Sequence, residues 1–268
     1  MFVTFLSDFG LQDDFVGTCH GVMKQIAPDA QIIDITHGIC PQEVLQGAHV
    51  LANTLPYMPP GVHLAVVDPG VGGPRRPLAL RDAEGRMYVG PDNGLLPPAT
   101  ERFGGVEAAH ELANPEYALQ PVSRTFHGRD LFAPAAAHLA RGVAIDELGP
   151  PIATDALVRL EPPTPTVTPS EIVATVLYVD RYGNAQLNLT REHIEEAGIQ
   201  PGRRLEVEVG RGRHEIVAAR TFADGPAGEG ILYEDSYRNV ALAVSRGNAA
   251  ERYGVRPGDA LRILVGTP

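Results

Sequence analysis

The chain has 268 residues, of which 44% are hydrophobic and 21% charged. That is a globular balance, which excludes disorder and collagen-like structure and allows one large domain or two modest ones. With 22 Lys and Arg against 33 Asp and Glu, the net charge is −11. An acidic chain without a Lys/Arg cluster is a poor partner for nucleic acid or an anionic membrane.

The 29 glycines and 24 prolines announce many turns and short elements. Two cysteines, Cys19 and Cys40, make no disulfide framework and read as thiols in a reducing cytoplasm. The opening MFVTFLSDFG lacks the basic region and apolar core of a signal peptide. No apolar run approaches the roughly 18 residues that span a bilayer.

In chain order, Phe2 to Leu6 reads as a buried strand ending at Ser7-Asp8-Phe9-Gly10. A helix is predicted from about Phe15 to Ile26, stopped by Pro28. Ile32 to Ile35 is a second strand, and Pro41 is predicted to open a helix running to about Leu55. Val62 to Val67 and Met87 to Val89 are further strands, and Gly128 to Ala140 a helix. Strand, loop and helix in repeated order predict an α/β sandwich around a largely parallel sheet, spanning residues 1–160.

Composition then shifts. Residues 161–170 hold a proline-rich connector, and beyond it residues 171–268 read as short strands with Gly turns. The strands are predicted near Ile172–Val179, Ala185–Leu189, Arg204–Val209, His214–Ala219, Gly230–Tyr233, Val240–Val244 and Ala260–Val265. One helix, capped by Thr190 and stopped by Gly198, is the only one expected among them. This second half predicts a small β-barrel or sandwich.

In open α/β sheets ligands bind beyond the C-terminal ends of the strands. Asp8, after the first strand, has the acceptor capacity to hold both hydroxyls of a ribose, or it forms a local turn. Asp13 and Asp14 suit a helix cap. The Asp68-Pro69-Gly70-Val71-Gly72-Gly73-Pro74 loop brings stiff backbone close to a ligand and lacks the ending of a phosphate loop. Arg75 or Arg76 could turn back toward Asp68. His127 sits at a predicted helix N-terminus, whose dipole favours the neutral ring of a general base. The other eight histidines read as structural, with His37 the one further candidate among them. In the second half, Asp180-Arg181-Tyr182-Gly183-Asn184 is a polar turn; Asn184 offers the acceptor and donors that complement an adenine edge, or it merely closes a hairpin. Ser236 carries a weaker signal.

These motifs, with Pro91-Asp92-Asn93-Gly94-Leu95-Leu96, Phe126-His127-Gly128-Arg129-Asp130 and Arg246-Gly247-Asn248-Ala249, run through both halves. Together they resemble the SAM hydroxide adenosyltransferases, the S-adenosylmethionine hydrolases related to the fluorinating and chlorinating SAM enzymes. The resemblance implies an α/β domain followed by a β-barrel, and a homotrimer with active sites between one subunit's first domain and a neighbour's second. It implies attack of activated water at C5′ of SAM, giving adenosine and L-methionine, with SAM as substrate and no cofactor. Asp68, Arg75 and His127 match the family's hydrolytic set, Arg75 being the aligned arginine. Asp8 then holds the ribose, Phe126 lines the adenosine pocket, and Asn184 meets adenine beside the backbone near Val244. Asp13, Asp180 and Ser236 meet the methionine end. Tyr237 departs from the arginine of the halogenating relatives, which leaves the grip on the carboxylate open.

Three other readings compete. A metal-dependent hydrolase could draw on Asp8, Asp13, His37, Asp68 and His127, but no close His pair is present and no metal is expected. A non-catalytic adenosine or SAM sensor would not need the Asp68–Arg75–His127 set. A halogenase would not place a carboxylate against its anion.

Overall fold

The computed structural model describes residues 1–210 and 212–265. The chain divides into two compact units, Met1–Leu160 and a second beginning at Glu161.

The first unit is built on a six-stranded sheet of β1 (Phe2–Ser7), β2 (Gln31–Thr36), β3 (Gly61–Val66), β4 (Pro77–Asp82), β5 (Met87–Pro91) and β6 (Val106–Glu111). Their order is β2-β1-β3-β5-β4-β6. β2, β1, β3 and β5 are parallel, while β4 runs antiparallel to both β5 and β6. The helices are α1 (Phe15–Ile26), α2 (Val44–Thr54), the single turn α3 (Pro97–Thr100) and α4 (Ala133–Ala140). Alternate residues of the strands feed opposite layers, as strand periodicity requires. Val3, Phe5, Val62, Leu64 and Val66 pack with residues of α1 and α4. Leu6, Ala65 and Val67 pack with residues of α2 and α3. The predicted sandwich with a largely parallel sheet is therefore present.

Several details depart from the sequence reading, among them the short helix α3, which was not expected. β4 and β6 were not expected: the first follows the Gly/Pro loop directly, and both lie at the antiparallel side of the sheet. The second helix begins at Val44, not Pro41, because Gln42 takes a positive φ of 70°, which no right-handed helix admits. The segment from Gly128 opens as a wide π turn, Gly128–Phe132, and becomes α-helical only at Ala133. Pro134 has no N–H to return to the carbonyl of Asp130, and that carbonyl accepts from the backbone N–H of Leu119 instead, at 2.9 Å.

The second unit contains β7 (Thr166–Val167), β8 (Glu171–Val179), β9 (Ala185–Thr190), β10 (Arg204–Val209), β11 (Gly212–Ala218), β12 (Gly230–Glu234), β13 (Asn239–Val244) and β14 (Ala260–Leu264). The order β14-β10-β11-β12-β13-β9-β8 closes through a β14–β8 pairing into a seven-stranded barrel. Leu187, Val207, Ile216, Leu232, Leu242 and Ile263 fill its interior. Within the proline-rich segment, Thr166 and Val167 pair with Val173 and Ile172 of β8. Besides the expected helix α5 (Arg191–Glu196) there is a second, α6 (Ala249–Tyr253). Its five residues are too few to show a period. Its ends are nonetheless written in the sequence: Asn248 Oδ1 accepts from Glu251 N at 2.9 Å, and Gly254 takes φ 66°. Among the described residues, no helix is long and apolar enough to cross a membrane.

Candidate active site

The parallel neighbours β1 and β3 are in register to their C-terminal ends, where Ser7 pairs with Val66. The residues that follow, Asp8 and the Asp68 loop, therefore leave the sheet at the same edge. Asp8 is partly buried, and its Oδ2 accepts from Gln42 N at 2.9 Å. Burial pushes its carboxyl above the usual range, and the charge of Asp68 adds to that push.

The Asp68 loop folds back on itself through Val71 N to Asp68 O (3.3 Å) and Gly73 N to Gly70 O (3.0 Å). Gly72 holds φ 75°, and a Cβ there would come within 2.3 Å of the Arg124 carbonyl oxygen. Only glycine fits. The turn returns Arg75 onto Asp68: Nε donates to Oδ1 at 2.9 Å and to Oδ2 at 3.1 Å, and Nη2 also donates to Oδ2. Both side chains are nearly buried, at 10% and 6% exposure, so the pair is little screened by water. Arg75 Nη2 reaches on to His127 Nδ1 at 2.8 Å. Arg76 takes a different partner, Asp92 Oδ2, through Nε at 2.8 Å, and caps the Ala156 carbonyl at 2.6 Å. Tertiary structure thus gives different partners to two adjacent arginines that residue type alone left interchangeable, and the one beside Asp68 is the Arg75 that the family resemblance indicated.

A guanidinium can only donate. His127 Nδ1 must therefore be the acceptor, and the ring is neutral with its proton on Nε2. Burial lowers the His127 pKa, and the charge of Arg75 lowers it further; Asp68 and a hydrogen bond to the Ser123 backbone pull the other way. The expected source of neutrality was a helix dipole. The residue instead heads the π turn, and burial is the leading cause.

Phe126 lies edge-on to Phe9 and Phe15, with centroids 5.8 and 5.2 Å away. Phe15 is exposed on one side, so the group presents an aromatic wall. Phe9 and Phe15 were missed by sequence reasoning, although Phe9 lies inside the Ser-Asp-Phe-Gly motif. Gly128 is the small residue that admits Phe9, since a Cβ there would lie 2.8 Å from its Cζ. Asp13 stands exposed in the loop before α1, outside the Asp68–Arg75–His127 contacts.

In the second unit, Asp180, Asn184, Ser236 and Val244 all line one cavity of about 650 Å³. Two matching turns frame it. Asp180 Oδ1 accepts from Tyr182 N (2.8 Å) and Asn184 N (2.9 Å), and its Oδ2 accepts from Asn184 Nδ2 (2.8 Å). Asp235 Oδ1 accepts from Tyr237 N (2.8 Å) and Asn239 N (2.9 Å), and its Oδ2 accepts from Gln186 Nε2 (2.6 Å). Asp235 and Gln186 also line the cavity and were missed. The signal was available: Asp followed four residues later by Asn occurs at both 180–184 and 235–239. Asn184 is buried, and its side chain is oriented by Asp180. Tyr182, Phe222 and Tyr237 are exposed aromatic rings at the same cavity. Gly183, with φ 80°, is obligatory, because a Cβ would fall on the Asn248 side chain.

The first unit therefore offers a carboxylate, a guanidinium and a neutral imidazole in one chain of contacts, with a second carboxylate and an aromatic wall. That set suits polar attack on a bound sugar. The second unit offers an apolar and aromatic cavity edged by oriented amide and carboxylate groups, which suits a nucleobase.

Residues 3–149 match the model of the SAM hydroxide adenosyltransferase N-terminal domain, and residues 174–262 that of the C-terminal domain. An (R)-S-adenosyl-L-methionine hydrolase of Salinispora arenicola is 48% identical over 98% of both chains. A protein of the same name from Salinispora tropica is 46% identical over 98% of both. A fluorinase of Nocardia brasiliensis is 31% identical, covering 98% of this chain and 97% of its own. The crystal structure of an uncharacterized conserved protein from Thermotoga maritima superposes with a TM-score of 0.90 at 34% identity, covering 98% of this chain and 99% of that one.

Proposed function

The chain belongs to the SAM hydroxide adenosyltransferase family, and from that premise we infer that it hydrolyses S-adenosyl-L-methionine to adenosine and L-methionine. We propose further that it acts on the R epimer at sulfur, the substrate for which its relatives at 46 and 48% identity are named.

Water oxygen attacks C5′, the C5′–S bond breaks, and its electron pair returns to sulfur. The sulfonium thereby leaves as the neutral thioether of methionine. A neutral leaving group needs no general acid, and the reaction needs no redox or electrophilic cofactor. What the protein must supply is a water held in line and a place for its proton.

The observation that carries this reading is the Arg75 guanidinium bridging Asp68 and His127. In our assignment Asp68 accepts the water proton, because His127 Nδ1 is engaged by Arg75 and cannot receive it. Arg75 fixes both partners, and its charge stabilises developing hydroxide. His127 positions the set from its far side. Asp8 holds the ribose hydroxyls, with Phe126 against the nucleoside. Asn184 and the Val244 backbone read adenine, while Asp13, Asp180 and Ser236 hold the methionine end. Asp235 and Gln186 orient the wall that carries Ser236 and Tyr237.

The family resemblance supports a homotrimer that joins the first unit of one subunit to the second of another. Two unpaired cysteines, one buried and one exposed, fit a reducing cytoplasm.

The test is chromatography of each SAM epimer incubated with the protein, EDTA and no halide. Equal adenosine and methionine from the R epimer support the assignment. Intact substrate after long incubation overturns it, and a 5′-halo-adenosine formed on adding halide would replace it with the halogenase reading.

A further inference from the structure

We propose that His20, Asp34 and His37 form a binding site for one divalent transition-metal ion of the zinc class, distinct from the Asp68–Arg75–His127 set. The three come from separate elements of the first unit: His20 from α1, Asp34 from β2, and His37 from the loop that follows β2. Asp34 Oδ1 lies 2.9 Å from His20 Nε2 and 3.1 Å from His37 Nε2. The three ligand atoms lie within 4.8 Å of one another. A tetrahedral ion with arms of about 2.0–2.1 Å needs ligand-to-ligand edges of about 3.3 Å. The two edges from Asp34 lie within a few tenths of an ångström of that length, and His20, partly exposed, has room to adjust the third.

Three further observations point to a ligand there. First, His37 is 5% exposed, yet its Nε2 has no hydrogen bond: the approach to Asp34 is near but out of line. A buried ring nitrogen without a directed partner is costly unless something else takes it. Second, the other ring nitrogen is already held. His37 Nδ1 lies 2.7 Å from the buried Ser7 Oγ, the outer contact that fixes the tautomer and aim of a metal-bound histidine. Third, the site opens to solvent on one side, since His20 and Asp34 are 32% and 42% exposed at their side chains. An ion can enter there, and water can complete its shell.

Two imidazoles and one carboxylate select Zn²⁺, Co²⁺ or Ni²⁺ over Mg²⁺ and Ca²⁺. The ion would clamp α1 to the end of β2. It would also anchor the loop whose His37 carbonyl accepts from Gly10 N at 2.8 Å and whose Gln42 N–H holds Asp8. It takes no part in the displacement.

The experiment is a titration of the full-length, EDTA-stripped protein with Zn²⁺ by calorimetry, and with Co²⁺ by its visible absorption. We expect one equivalent to bind with Kd of about 10 μM or tighter. His20→Ala and Asp34→Asn, both at partly exposed positions, should each weaken binding by about 10–100-fold with unchanged circular dichroism. His127→Ala and Asp68→Asn should leave it unchanged. Absence of stoichiometric binding overturns the site. So does binding that survives both His20→Ala and Asp34→Asn, or that is lost in His127→Ala.

Discussion

Arg75 Nη2 donates to His127 Nδ1 at 2.8 Å while the same guanidinium grips Asp68 through Nε at 2.9 Å. One side chain thus holds both of the others. It is the ion-pair partner of Asp68, and it obliges His127 to carry its proton on Nε2.

Removing that side chain should therefore cost stability as well as rate. Arg75→Leu leaves the Asp68 carboxylate, 6% exposed, buried without its ion-pair partner. A loss of about 3–5 kcal/mol is expected. Urea denaturation of the variant beside the wild type measures it. A change below about 1 kcal/mol would mean that water reaches Asp68 freely.

The two candidate proton acceptors separate by mutation. Asp68→Asn keeps the shape but removes the proposed base, and kcat should fall by about 10²–10⁴-fold. His127→Ala removes only a positioning contact, and its fall should be smaller, about tenfold. Single-turnover kinetics of both variants check the order. A larger loss in His127→Ala would return the proton to histidine.

The pH dependence follows from the direction of the His127 shift. Its folded pKa is lowered below 6.5, first by burial and then by Arg75. The unfolded chain therefore binds the proton more readily. The contribution to stability is intact above pH 6.5 and is lost as pH falls through the lower, folded value. The neutral ring that accepts from Arg75 persists over the same range, so the acid limb of kcat/KM against pH should lie below 6.5. A limb at or above 6.5 would contradict the neutral, arginine-bonded ring.

Gly72→Ala should damage the Asp68 loop with no change in its charges. The new methyl would meet the Arg124 carbonyl at 2.3 Å in a positive-φ conformation, costing on the order of 1–3 kcal/mol of strain or displacing the turn. A drop in kcat larger than the change in KM is expected, because the loop positions Asp68 and Arg75. Unaltered kinetics and melting would show that the turn relaxes without moving them.

At the second unit's cavity, Asp235→Ala removes the carboxylate that accepts from Gln186 Nε2 and from two backbone donors. It should raise KM for SAM more than it lowers kcat, since the turn shapes the binding wall and not the reacting atoms. Steady-state kinetics decide; an effect confined to kcat would place Asp235 closer to the chemistry.

Much of this protein is local and was legible in the chain itself. Apolar runs such as Phe2–Leu6 and Val62–Val67 marked the parallel strands, because a strand buried on both faces must be apolar throughout. The seven barrel strands followed from short strand-like runs separated by Gly turns. The Asp68 loop, His127 and the Asp180 turn stood out by their residue types, and the motif order led to the family. Other features depended on partners distant in sequence. Nothing local distinguishes Arg75 from Arg76; the fold decides, by placing Asp68 beside one and Asp92 beside the other. Nothing local shows that His127 accepts from an arginine 52 residues away, or that burial rather than a helix end keeps it neutral. The start of α2 at Val44 and the wide turn at Gly128 likewise depended on backbone geometry at Gln42 and Pro134. The gathering of His20, Asp34 and His37 required α1 to lie beside the end of β2. Hydrophobic period and turn chemistry act over a few residues, so a sequence carries them openly. Hydrogen-bond partners, burial and the pKa values they set act through space, and only the folded chain assigns them.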